Sequence, residues 1–571
     1  MSQLSDRQIA QPATPAWHLF VPKLITVLKE DYGLAQFRGD FLAGLTVAIV
    51  ALPLAMALAI ASGTTPDKGL ITAVVAGFII SALGGSRFQI GGPTGAFVVV
   101  VFNVIQAHGY DGLVLATLMA GAMLIVTGLF RLGTWIKYIP EPVVIGFTAG
   151  IAVIIASSQI KDFFGLSVER VPAEFAHKIA AFWAAADTMS PLTLSIAAGA
   201  LGLIILLRRR APRLPAFLIA VGVASLLVFV LGLQVDTIGS RFGGIPNMLP
   251  APSWPEVSLP RLAELLPSAF TIAFLAGVES LLSAMVADGM TGRRHRSNCE
   301  LTAQGVANVA SALFGGMPAT GAIARTATNI RSGAKTPVAG MMHAVFVLLF
   351  MVLFAPLAIY IPLASLAAVL LIVAFNMSEI DKVRFLWSAP PGDKAVLLIT
   401  FGLTVFVDLT VAIEVGVVLA AILFMHRMAQ VVTIERGQSL LVDDLDDLAD
   451  PGAQTFDQRQ DIPDGIEVYQ LRGPIFFGAA AELGSILDDP RMTPKVLIVR
   501  MREVPLIDST AVAVLRAIVK RCKARGITIV VTGVQDQPRL MLEQMGFGES
   551  TGNLTFAANF REAVEFAKTR I

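Results

Sequence analysis

Two stretches of the chain combine residues that are unusual beside apolar runs. The first is Gly91-Gly92-Pro93-Thr94-Gly95-Ala96-Phe97, followed at once by Val98-Val99-Val100-Val101. The second is Gly315-Gly316-Met317-Pro318-Ala319-Thr320-Gly321-Ala322-Ile323-Ala324-Arg325. Each has Gly-Gly, a nearby proline and Thr-Gly-Ala, and then helix-forming residues. The chemistry this suggests is anion binding by backbone. Glycine lets a ligand approach the main chain closely, and a proline in the first helical turn gives up an N–H that has no intrahelical partner anyway. The first amides of a helix then point out unpaired, at the positive end of its dipole. Two such ends facing each other would cradle an anion. The alternative is a pair of glycine-rich loops at a membrane surface.

Two charges accompany these stretches. Arg325 falls early in its apolar segment, where it either complements an anion or pairs with a carboxylate. Glu279 sits in the middle of Phe274–Ser283, FLAGVESLLS. A carboxylate withdrawn from water can exchange protons near neutral pH, so Glu279 is a candidate proton carrier, or else a structural partner of Arg325. Glu414 is a weaker candidate of the same kind. No nucleophile–base pair, phosphate loop or metal-ligand cluster appears, and His343 and His426 stand alone, so an enzyme is not expected. Neither metal nor cofactor is expected. Cys299 and Cys522 are far apart and form no CxxC pair, which argues against a disulfide framework or a zinc site.

The elements that must position these residues are membrane spans. Of 571 residues, 55% are hydrophobic and 15% charged, against about 25% charged in a soluble domain. Mean hydropathy is +0.72. A net charge of +1 supplies no field for nucleic acid. Fourteen candidate spans lie between residues 41 and 426, of which 93–108, 300–314 and 318–331 are too short to cross a bilayer alone. The two glycine-proline stretches belong to the third and tenth spans. A separation of seven spans inverts the second copy, so an inverted seven-plus-seven repeat follows, with broken helices in matched positions. That pairing points to a transporter's binding site. Arg87, Arg131, Lys137, Arg208–Arg210, Arg213, Arg293, Arg294, Arg296, Arg331, Lys335, Lys382, Arg384 and Lys394 fall in alternate loops. The opposite loops hold only Lys68, Arg241, Arg261 and the mixed-charge segment 158–190. This bias places both termini in the cytoplasm.

The organisation expected is therefore a cytosolic segment over 1–40, with a short amphipathic piece around 17–28, and a transmembrane domain over 41–429. An acidic linker over 430–463, containing Asp443-Asp444-Leu445-Asp446-Asp447, leads to a soluble α/β domain over 464–571. In that last part Ile466–Leu471, Val496–Met501 and Ile527–Val531 read as strands, and Ser509–Arg525 and Gln537–Met545 as helices.

The chain resembles the sulfate permease family of anion transporters along nearly its whole length. The resemblance rests on ALPLAMALAIASG (51–63), GGSRFQIGGPTGAF (84–97), GVESLLSAMVADGMTG (277–292), QGVANVASALFGG (304–316) and IARTATNIRSG (323–333). It implies an all-α, fourteen-span uracil-permease-like fold in which a core domain moves against a gate domain in an elevator-like cycle, and a homodimer. Carried over residue by residue, Pro93, Thr94, Gly95, Ala96 and Phe97 form one half of the anion site, and Ala322, Ile323, Ala324 and Arg325 the other. The Pro53–Met56 stretch, with Pro53, Ala55 and Met56, lines the same cavity, and Glu279 takes the acidic position of the eighth span. Sodium-dependent bicarbonate members are similar but carry Asp there, with a hydroxyl residue one turn later. Glu279 and Ser283 stand in those places here, which favours protons over sodium. LPLAMALAI (52–60) and NMSE (376–379) look most like the bacterial dicarboxylic acid uptake subgroup, which implies succinate or fumarate imported by proton symport across the inner membrane. Sulfate or bicarbonate transport or exchange, and an anion channel, are the alternatives. The C-terminal part resembles the sulfate transporter and anti-sigma-factor antagonist (STAS) domain, which implies docking of cytosolic partners. There Ser509 falls where antagonists carry a phosphorylated serine, although Ala511 replaces the usual glycine; a helix cap at Asp508 or Ser509 is the competing reading.

Overall fold

The computed structural model describes residues 19–30, 32–134, 140–168, 171–172, 174–212, 214–436, 462–476, 494–547, 550–551 and 553–571. Residues 1–18 of the expected N-terminal segment, the loop cations Lys137 and Arg213, and 437–461 of the acidic linker lie outside the described residues. The chain divides near Val417 into two compact units.

The larger unit is helical. Its elements run α1 (Lys23–Leu28), α2 (Leu34–Ala61), α3 (Pro66–Leu83), strand β1 (Gly91–Gly92), α4 (Phe97–Leu129), α5 (Glu141–Ser158), α6 (Ile160–Phe164), α7 (Phe175–Ala184), α8 (Pro191–Arg210), α9 (Ala216–Leu231), α10 (Ile238–Phe242) and α11 (Leu259–Thr291). They continue with α12 (Ser297–Leu313), strand β2 (Thr320–Gly321), α13 (Ile323–Arg331), α14 (Val338–Ala358), α15 (Leu363–Met377), α16 (Ile380–Leu386), α17 (Pro391–Phe406) and the first part of α18 (Leu409–Gln430), within which the division falls. Each of the fourteen expected spans has a helical counterpart, the third and fourth sharing α4, which breaks at Gly109 with φ 71°. Among the described residues, nine helical stretches are long and apolar enough to cross a membrane, and α9 is a shorter apolar helix.

Small residues set how these helices pack, because apolar side chains gain little by leaving lipid for protein and close backbone contact becomes the main attraction. A Cβ added at Gly69 of α3 would sit 2.0 Å from the Ala55 carbonyl oxygen of α2. One at Gly44 would sit 2.6 Å from the Ala339 oxygen of α14. Gly121 of α4 and Gly305 of α12 oppose each other, each added Cβ lying 2.7 and 2.5 Å from the other's carbonyl oxygen. Two buried carboxylates then fasten loops. Asp40 accepts from the amides of Lys335 (2.7 Å) and Thr336 (3.1 Å), and Glu300 from those of Gly85 (2.8 Å) and Ser86 (3.1 Å).

The smaller unit holds the α/β domain. Its strands are β3 (Thr433–Arg436), β4 (Ile466–Arg472), β5 (Val496–Glu503), β6 (Thr528–Thr532), β7 (Ser550–Thr551) and β8 (Leu554–Ala557), and its helices α19 (Ser509–Ala524), α20 (Asp536–Gln544) and α21 (Phe560–Lys568). The sheet order is β3-β4-β5-β6-β8-β7, parallel from β4 through β8 and antiparallel at both edges. Alternate residues of β5 serve opposite cores: Leu497 and Val499 pack with Leu515 and Ile518 of α19, Ile498 with Val564 and Ala567 of α21. Burial on both faces explains why the strands read as continuous apolar runs. One boundary changes. The expected linker from 430 begins with a strand, because β3 pairs with β4 from Thr433↔Arg472 to Arg436↔Tyr469.

Gly121→Val is expected to abolish the folded, monodisperse protein in detergent, while Gly199→Val, whose added Cβ meets nothing within 4 Å, leaves it intact. Size-exclusion chromatography of fluorescently tagged variants reads both, and a normal Gly121→Val profile would contradict the close α4–α12 contact.

Candidate functional site

The two glycine-proline stretches meet. β1 and β2 form an antiparallel two-residue ladder, Gly91 opposite Gly321 and Gly92 opposite Thr320. The Ala322 amide extends it by donating to the Ile90 oxygen at 2.8 Å. In an antiparallel pair the chains leave at opposite ends, so α4 and α13 start from opposite ends of the ladder. Glycine is required here for space as much as for φ. Gly92 has φ 150°, and an added Cβ would lie 2.7 Å from Arg325 Nη1; one at Gly321 would lie 1.8 Å from Gln89 Nε2.

α11 holds this ladder through residues 276, 280 and 283, one face of a helix at i, i+4 and i+7. Thr320 Oγ1 donates to the Ala276 oxygen at 2.9 Å and lies 2.7 Å from Ser280 Oγ. The Gly321 amide donates to Ser280 Oγ at 3.1 Å, and Ser283 Oγ donates to Thr326 Oγ1 at 3.1 Å. Thr326 Oγ1 also accepts from the Ile90 amide at 3.1 Å, so one hydroxyl joins α11, α13 and the approach to β1. These hydroxyls satisfy irregular backbone that has no water to turn to at membrane depth.

What remains unsatisfied is informative. Among the described residues, the amides of Thr94, Gly95 and Ala96 have no hydrogen-bond partner, and neither do those of Ile323, Ala324 and Arg325 in the first turn of α13. Arg325 is buried, its Nη2 donating to the Pro93 carbonyl oxygen while Nη1 has no partner. Thr94 Oγ1 donates to Glu279 Oε2 at 2.8 Å. No ion pair joins Arg325 to Glu279, so the structural-partner alternative is not realised as a direct contact. Ile323 and Glu279 are half-buried and Ala324 is exposed. On its far side, a Cβ at Gly95 would meet Met377 Sδ of α15 at 2.4 Å and Ile155 Cδ1 of α5 at 3.3 Å.

One part of the sequence argument is corrected. The prolines are not in first helical turns: α4 begins at Phe97 and α13 at Ile323, so Pro93 and Pro318 stand in the irregular backbone before them. Pro93 contributes an acceptor for Arg325 instead. The structure brings Thr94, Gly95, Ala96, Phe97, Ala322–Arg325 and Glu279 to one place. In α2, Pro53 is buried inside the helix and Ala55 packs on Gly69. Met56 lines an apolar cavity of about 480 Å³ with Leu70, Val221, Phe350, Phe354 and Tyr360. Glu414 is exposed, and His343 is fully buried with neither ring nitrogen partnered. In the α/β unit Asp508 is the cap of α19, accepting from the Ala511 amide at 2.8 Å, and Ser509 is exposed in the first turn. Ser280, Thr320 and Thr326 were missed as ladder supports; the small-and-hydroxyl face of GVESLLS was the available signal. Among the described residues no cluster of three His, Cys, Asp or Glu side chains could hold a metal.

A helical membrane unit with two broken helices meeting at a short ladder, joined to an α/β unit, defines a secondary transporter carrying a soluble domain. Residues 37–400 match the sulfate permease family and 459–565 the STAS domain. The Bacillus subtilis (strain 168) protein YvdB, provisionally named a sulfate transporter, is 42% identical over 531 residues, covering 92% of this chain and 97% of its own length. The bicarbonate transporter BicA of Picosynechococcus sp. is 30% identical over 540 residues, covering 89% of this chain and 91% of its own. The inward-facing structure of the murine Slc26a9 anion transporter superposes with a TM-score of 0.83 over 99% of this chain and 97% of that one, and at 16% identity it shows the shared fold. The chain belongs to the sulfate permease family of anion transporters, and is a multi-pass membrane protein with a C-terminal STAS domain.

Ser280→Ala leaves the Gly321 amide without its partner and removes one of the two contacts of Thr320 Oγ1, at a cost of about 1–3 kcal/mol. A melting temperature several degrees below wild type is expected, and an unchanged one would show that α11 does not hold the ladder.

Proposed function

We propose that the chain takes up a small oxyanion with protons, binding it at the amides of 94–96 and 323–325 and coupling through Glu279. The observation that carries this reading is the Thr94–Glu279 hydrogen bond, because it ties the carboxylate to the segment that offers the free amides. Six unpartnered N–H groups suit an oxyanion. Arg325 Nη1 adds a positive charge beside them without occupying their place. An anion arriving there raises the negative potential on Glu279, which favours its protonated form. Anion and proton then load together, and the carboxylate charge no longer opposes binding.

The facing wall supports an elevator-like movement. On the ladder side, hydrogen bonds accepted by Ser280 and Thr326 and donated by Ser283 and Arg325 lock the parts together. Across the site, Gly95 meets Met377 and Ile155 by van der Waals contact, which breaks and re-forms at little cost. The loop cations support both termini being cytoplasmic in a bacterial inner membrane. Backbone amides accept carboxylate, sulfate and bicarbonate alike. The NMSE segment, which includes Met377 at the wall, favours a dicarboxylate; the names of YvdB and BicA favour sulfate and bicarbonate.

In proteoliposomes, wild-type uptake is expected to saturate and to rise as the external pH falls, since external protons drive symport. Competition among succinate, sulfate and bicarbonate identifies the substrate. Glu279→Gln is expected to remove the pH dependence. Undiminished proton coupling in that variant would remove Glu279 from the mechanism, and non-saturating flux would indicate a channel.

A further inference from the structure

A buried lysine lies outside the site described so far. Lys178 is on α7, in the connection between α5 and α8 that the cation bias places opposite the termini. It is 3% exposed, although Glu174, which precedes the helix, and His177 on it are exposed and pair with each other at 2.7 Å. Among the described residues its ammonium makes no hydrogen bond or ion pair. Its ammonium lies over the face of the Phe102 ring, with Nζ 5.5 Å from the centroid. Burial lowers its pKa, and no carboxylate is close enough to offset that. α7 is itself anchored, Phe175 packing edge-on against Phe406 of α17 with centroids 5.7 Å apart.

A buried ammonium without a counter-ion is costly and is normally paired. A cation–π contact returns only part of that cost. Phe102 relates this cation to the site. It lies on α4 five residues beyond Phe97, a rise of about 7.5 Å along the helix whose start offers the free amides. Its ring is held in place, since a Cβ at Gly63 would touch Phe102 Cδ2 at 3.1 Å.

We propose that Lys178 is an outer station for the transported oxyanion, where its ammonium draws the anion in before the anion reaches the amides of Thr94–Ala96. This rests on the oxyanion reading above. The station holds the anion before handing it on; it contributes to capture and not to the coupling at Glu279. A cation in that role acts on association, and its effect weakens as salt rises.

The test uses the full-length protein in proteoliposomes, with initial uptake of whichever of sulfate, bicarbonate or succinate the wild type accumulates. For Lys178→Gln, KM is expected to rise roughly tenfold with kcat nearly unchanged. Its KM should also lose the salt dependence seen in wild type. Lys178→Arg keeps the charge and is expected to restore both. Thermal melting of each variant, with Lys178→Met added, separates a folding defect from a capture defect. A Lys178→Gln KM within twofold of wild type would overturn the station while leaving the proposed function standing, and so would equal impairment of Lys178→Arg and Lys178→Met. Wild-type liposomes that accumulate none of the three anions would overturn both.

Discussion

The structure depends on a two-residue ladder of backbone at membrane depth. A pair of strands this short has no stability of its own, and its irregular flanks would be prohibitively exposed in hydrocarbon. It persists because α11 presents Ala276, Ser280 and Ser283 along one face, and because Arg325 spans from α13 to the Pro93 carbonyl. Those contacts fix the approach to α4 and the start of α13 without occupying the amides of 94–96 and 323–325. The unsatisfied groups are thus a product of the support rather than a defect in it, and they are where a ligand's oxygens gain most.

Two kinds of contact divide the transport domain. Close glycine-mediated approaches such as Gly121 to Gly305, and buried carboxylates such as Asp40 and Glu300, make one set of helices rigid and mutually registered. Against them, Met377 and Ile155 offer an apolar surface facing Gly95. Apolar contacts of this kind break and re-form at little cost, while α11, which carries Glu279, is also tied to α18 by the Thr271–Thr410 hydroxyl pair at 2.6 Å.

Much of this was legible in the sequence, for identifiable reasons. The paired glycine-proline stretches stood out because their composition contradicts the apolar runs around them, and Glu279 and Arg325 because charges are rare at that depth. The strand read over Val496–Met501 was legible as a short apolar run, and the structure extends it to Glu503. The ladder was not, because two glycine-rich residues have no periodicity to read. The prolines were misplaced by several residues, since irregular backbone and a first helical turn tolerate Pro equally. β3 was absorbed into the expected linker because four residues of TIER show no pattern until they are paired with β4. The Ser280–Thr320 support is a long-range contact that helical spacing suggests only once the partner is known.

The central claim is that the open start of α13 faces the transported anion, and substrate protection of a thiol placed there tests it most directly. Ala324 is exposed, and both native cysteines, Cys299 and Cys522, are buried, so Ala324→Cys supplies a single accessible thiol among the described residues. Alkylation of that thiol is expected to slow as the transported anion is added, with half-protection near the uptake KM. Alkylation at the same rate at every anion concentration would contradict the account.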